Sequence, residues 1–147
     1  MAMQKATIGA IVIIALMAVV LSTLGALTVS QTFSNSGSIS AIGVGVYSDS
    51  GCTTVLSSID WGTINSGASA TYTIYVKNNG TIPVTLTMTT GNWNPATASS
   101  YINLTWSRQN YVLSAGSSVQ ALVTLTVSSS VNGFTSFTFD VTITGTQ

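Results

Sequence analysis

The sequence predicts a chain in two parts, a long N-terminal hydrophobic α-helix followed by an all-β antiparallel sandwich of seven to eight strands. Three observations carry that expectation. An uncharged apolar run opens the chain, period-2 alternation fills the remainder, and turn residues separate the alternating runs. The 147 residues are enough for one domain with an additional segment.

Residues 6–29 form a run of 24 uncharged positions, 18 of them Ala, Val, Ile, Leu or Met. As a helix rising about 1.5 Å per residue the run measures roughly 36 Å, against about 30 Å for a hydrocarbon core. A helix that is apolar all round belongs in lipid or in a helical core, not on a protein surface. The polar, Ser-rich stretch 30–40 follows, with Gly37 as a helix stop. The expected division is a leader over 1–6, a hydrophobic helix over 7–36 and a sandwich over 37–147.

Three readings of the apolar run compete. It is a cleaved secretory signal, a permanent anchor, or a segment kept after a short leader is removed. Against the first, Lys5 is the only basic residue before the run, and a cut after Ala26 places Leu24 where a small residue is wanted. A cut after Gly25 places Thr23 there, which is tolerable.

The strands follow in order. Ile42, Val44 and Val46 oppose Ala41, Gly43 and Gly45, and a weaker strand spans residues 55–61. Tyr72, Ile74 and Val76 alternate with Thr71, Thr73 and Lys77. Ile82, Val84, Leu86 and Met88 alternate with Pro83, Thr85 and Thr87. Ile102, Leu104 and Trp106 alternate with Asn103 and Thr105. Val119, Ala121, Val123, Leu125 and Val127 face away from Gln120, Thr124 and Thr126. Phe137, Phe139, Val141 and Ile143 oppose Thr138, Asp140 and Thr142. Turn signals stand at 49–51, 65–67, 78–80, 91–92, 115–116 and 132–133, each carrying Gly with Asn, Asp, Ser or Ala. Many short strands with such spacing predict a sandwich of immunoglobulin-like type.

Composition narrows the function. Lys5, Lys77 and Arg108 are the only cations, so no basic patch exists to neutralise phosphates and no nucleic-acid partner is expected. With no His, no Glu and one Cys, neither a metal nor another cofactor is expected. Asp49, Asp60 and Asp140 are the only carboxylates and lie far apart in sequence, so the chain is not expected to be an enzyme. Cys52 has no partner for an intramolecular disulfide and no His to activate it; it is a small residue beside a turn or a bridge between subunits. Trp61, Trp93 and Trp106 suit the core or the ends of a sandwich better than ligand stacking. Gly43 and Gly45 leave one face of the first strand flat, for a close approach or a bend. Asn79-Gly80-Thr81 and Asn103-Leu104-Thr105 are glycosylation sequons, at a turn and on an outward strand face.

The opening MAMQKA, followed at once by TIGAIVII, resembles the leader of archaeal type IV pilins and archaellins. Lys5 and Ala6 match the last two leader residues, and Thr7 is then the new N-terminus. Ile11 stands where bacterial type IV pilins carry Glu, so the similarity is to the archaeal branch. It covers about the first thirty residues. The block 59–80 also resembles immunoglobulin-like domains of archaeal surface proteins, in fold and location only.

The resemblance implies a structural subunit of an extracellular pilus-like filament serving adhesion or surface attachment. Its helices bundle into a homopolymer core with sandwiches outside, after a wait in the cytoplasmic membrane and processing by a leader peptidase and assembly machinery. The alternative is a secreted or membrane-anchored immunoglobulin-like surface protein. Such a protein can polymerise by strand donation, with residues 27–40 as the donated strand.

Overall fold

A computed structural model describes residues 32–147. Nine strands run in the order β1 (Thr32–Ile42), β2 (Gly45–Tyr47), β3 (Ser58–Asn65), β4 (Ser69–Lys77), β5 (Val84–Asn94), β6 (Ile102–Trp106), β7 (Val112–Leu113), β8 (Ser118–Val127) and β9 (Ser136–Thr146). A short 3₁₀ helix, Ala96–Ser100, joins β5 to β6. The strands form two sheets. One has the order β3-β1-β9-β5-β7 and the other β2-β4-β8-β6.

The expected helix is corrected here. Residues 32–36, assigned to it, form the first half of β1, which pairs with β3 from Thr32 to Ser38 and with β9 from Ser34 to Ile42. The physical reason is local. Thr-Phe-Ser-Asn-Ser holds poor helix formers, and Ser and Asn side chains compete with a helix for backbone hydrogen bonds. No α-helix occurs among the described residues, and none there is long and apolar enough to cross a membrane. The resemblance to archaeal type IV pilins and archaellins, which needs that helix, falls with it. Residues 1–31, with Lys5, Ala6 and Thr7, lie outside the described residues.

The sandwich expectation is also revised. The described residues form nine strands, and among them β1 runs parallel to β9 while the other pairs are antiparallel. The alternation across residues 39–46 predicted one continuous strand. Instead the chain bends at Gly43 (φ +73°) and passes from the first sheet to the second. At that bend the Gly43 backbone packs on the end of β9, where a Cβ would fall 2.6 Å from the Gly145 carbonyl oxygen. The weak strand expected over 55–61 begins only at Ser58, and Val55 is exposed, held by a single bridge to Tyr47. Ile82, expected to face inward, is exposed and precedes β5. Its carbonyl is taken by the Asn78 side chain and not by a ladder partner.

The core lies between the sheets. Ile74, Val76, Ala121, Val123, Leu125 and Val127 supply it from one side, and Leu86, Phe137, Phe139, Val141 and Ile143 from the other. Two bulges set which side chains reach it. Gly62 (φ +61°) adds a residue to β3 opposite Asn35/Ser36, so that Ile59 and Trp61 are buried before the bulge and Ile64 after it. The predicted turn at Gly91-Asn92 is the second bulge, inside β5, with Asn92 at φ +50°. The extra residue reverses the alternation and brings Trp93 onto the core face, stacked on Phe139 at 4.4 Å between centroids.

Hydroxyl residues line β5 and β9 on the outer face of the first sheet. Thr85, Thr87 and Thr89 of β5 stand directly opposite Thr146, Thr144 and Thr142 of β9. Across this pairing the Thr146 hydroxyl donates to the Thr85 carbonyl at 3.4 Å.

Candidate functional site

β1 is the strand through which the N-terminal part of the sequence joins the sandwich, and its environment is the most specific on the molecule. It fills a slot between β3 and β9, with backbone pairing on both sides. Its core-facing positions are small or polar. Asn35 is buried, Gly37 is buried, and Ile39 packs partly against the core. The Phe139 ring covers Gly37, so that a Cβ there would lie 3.3 Å from Phe139 Cζ. On the outer face the Ser38 hydroxyl donates to Asp140 Oδ1 at 2.8 Å, and Asn92 Nδ2 donates to Asp140 Oδ2 at 2.7 Å. One carboxylate thus ties β1, β5 and β9 together. The Asn92 bond first, then the Ser38 bond, holds Asp140 below the ordinary carboxylate pKa of 3.8.

The other carboxylates lie elsewhere. Asp49 closes the loop after β2 by accepting from the Thr54 N–H at 2.7 Å and from the Thr53 N–H and hydroxyl at 3.1 and 2.9 Å. These bonds, the Thr54 one foremost, also lower its pKa from 3.8. Asp60 on β3 accepts from the Gly62 N–H at the first bulge. β1 separates the strands that carry Asp60 and Asp140. Among the described residues no three metal-ligating side chains come together. Cys52 is half-buried in the Asp49 loop with φ +52°.

Both sequon asparagines are exposed. Asn79 lies in the loop between β4 and β5, within 3.5 Å of the Tyr47 hydroxyl, and Asn103 lies on β6 opposite Thr126. β2, which carries Tyr47, and β6 are the two edges of the four-stranded sheet, so a sequon stands at each edge. Trp61 is buried in edge-to-face contact with Tyr72. Trp106 donates its indole N–H to Gln109 Oε1 at 2.7 Å, beside a shallow groove of about 310 Å³ lined by Met88, Leu104 and Thr105.

Sequence reasoning missed one buried side chain and one three-residue link. Asn78 is fully buried, donates to the carbonyls of Ile82 and Leu113, and accepts from the Gly80 N–H. The Asn-Asn-Gly turn signal marked its place without showing that the first Asn points inward. The Ser38–Asp140–Asn92 link joins residues far apart in sequence, and no local pattern announces it.

Comparison with models of known protein families and with characterised proteins finds no match to this chain.

Proposed function

We propose that this chain is a structural subunit of the cell exterior, with the sandwich facing the medium and copies of the chain associating with one another for attachment to surfaces. The observation that carries this reading is the seam between the two parts of the sequence. Only Ser30 and Gln31 stand between the apolar run 6–29 and β1, and β1 is an inner strand of its sheet, held on both sides. A load on the apolar run is therefore delivered to backbone ladders on two neighbours and not to a peelable edge. The run itself is the membrane-holding or assembly segment. Glycans on Asn79 and Asn103 supply solvation to a surface with few charges. Asp49 and Asp60 serve local hydrogen-bond closures and Asp140 ties three strands together, which suits a structural role.

Protease treatment of intact cells tests this reading. The expected outcome is release of a fragment that starts near residue 31 and carries added hexose mass at the sequons, with the apolar run staying in the membrane fraction. A chain that intact cells protect from protease, and that appears only on lysis, overturns it.

A further inference from the structure

We propose that β1 is an exchangeable strand, and that the slot between β3 and β9 accepts β1 from a second copy of this chain. The inference rests on the structural reading above, because it names the partner through which copies associate.

Three observations carry it. The first is how β1 is held. Among its described core-facing positions Asn35 and Gly37 bring little apolar bulk and Ile39 packs partly against the core, while backbone ladders hold the strand on both sides. A β1 arriving from another copy makes the same ladders, and the exchanged and closed forms differ chiefly in the entropy of association. Without β1, two inner edges of the five-stranded sheet stand open, and open edges pair with whatever strand fits them.

The second is the hinge. Gly43 and Val44 alone connect β1 to β2, and Gly43 holds the left-handed conformation of the bend. In the closed sandwich Val44 packs against the core and Val46 is buried, so the bend changes which alternate positions face inward, from Gly37 and Ile39 in β1 to Val46 in β2. Exchange requires this two-residue segment to open and the bend to be given up or re-formed on the second copy. The hinge is short, and short hinges favour exchange over loose reopening.

The third is selectivity. Gly37 is the position over which the Phe139 ring closes, and the register slips by one residue at Asn35/Ser36 to meet the Gly62 bulge. The bulge belongs to β3, and opposite it the entering strand seats best with a glycine beneath the Phe139 ring. This chain's own β1 carries that glycine, which points to a second copy and not to an unrelated peptide.

Cross-linking tests the proposal in the full chain. The Ile39 N–H donates to the Ser57 carbonyl, so the neighbouring Ser38–Ser58 pair is of the closely spaced, non-hydrogen-bonded kind that accepts a disulfide. Both residues are exposed. In a Cys52→Ser background, Ser38→Cys and Ser58→Cys are placed in two chains of different tag size and co-expressed. A double variant serves as the register control. Exchange predicts a covalent heterodimer on oxidation, absent when Ser58→Cys is replaced by the out-of-register Thr63→Cys. Gly43→Val, which opposes the bend, raises the heterodimer yield. The proposal is overturned if the double variant links only within its own chain while the mixed single variants stay monomeric. It is equally overturned if neither links, or if Gly43→Val lowers the yield. The cross-link is read wherever the protein resides, so its failure is distinct from failure of the cell-exterior reading.

Discussion

The ring of Phe139 lies over Gly37, its register partner on the parallel strand, and a methyl group there would sit only 3.3 Å from Phe139 Cζ. Phe139 cannot retreat, because Trp93 stacks on its ring at an interplanar angle of 11°. Gly37 is thus the place where β1 is thinned to admit an aromatic layer. Gly37→Ala is expected to lower unfolding free energy by about 1 kcal/mol, and Gly37→Leu by about 3 kcal/mol, through overpacking. Phe139→Ala is expected to cost about 3–5 kcal/mol through a cavity. Urea unfolding followed by tryptophan fluorescence reads all three, and Gly37→Ala being neutral would show that the ring can move.

Asn78 closes the turn after β4 from the inside. Asn78→Ala strands the Ile82 and Leu113 carbonyls and the Gly80 N–H in a buried site. The expected loss is about 2–4 kcal/mol, and Asn78→Asp loses comparably because it keeps the acceptor and removes the donors. Thermal melts of the two variants check this; an unchanged melt for either contradicts the role assigned to the side chain.

Acid acts through Asp49 and Asp140. Both have pKa values depressed in the folded chain, so the unfolded state binds protons first as the pH falls. Their contribution is complete above the unfolded value of 3.8 and is lost as pH falls through the lower folded values. The melting temperature is therefore expected to stay level from about pH 7 to about pH 5 and to drop below about pH 4. Asp140→Asn and Asp49→Asn each flatten that drop. A melting curve that falls instead near neutral pH disagrees with this assignment.

Cys52 sits in a conformation that favours glycine. Cys52→Gly is expected to stabilise the Asp49 loop by up to about 1 kcal/mol, the strain relieved exceeding the chain entropy added. The same variant removes the thiol, so any disulfide-linked dimer on a non-reducing gel disappears with it if Cys52 bridges subunits. Chemical denaturation of the variant against the parent measures the first effect directly.

Much of the β-structure was readable because one face of each strand is buried. Phe137, Phe139, Val141 and Ile143, and Ala121 to Val127 in β8, alternate as the burial does. What escaped was whatever depends on partners distant in sequence. The five-stranded sheet takes in Ser34, Asn35 and Ser36 because β3 and β9 supply two ladders for them, a gain that local patterning cannot register. Gly91-Asn92 has turn chemistry, but tertiary pairing with β9 turns it into a bulge that delivers Trp93 inward. The alternation through Gly43 was genuine, yet the closed sandwich spends that glycine on a bend. The sequons were legible as motifs, whereas their placement at the two edges of one sheet needed the topology.

The facing threonines of β5 and β9 have a consequence for the medium in which such a molecule can live. Of the three anions in the whole chain, two, Asp60 and Asp140, lie on that sheet and both are held in hydrogen bonds, while hydroxyls line the rest of β5 and β9. Little counterion cloud surrounds such a coat, so a change of salt concentration has few Coulombic forces to screen. A melt in high salt is therefore expected to differ little from one in low salt.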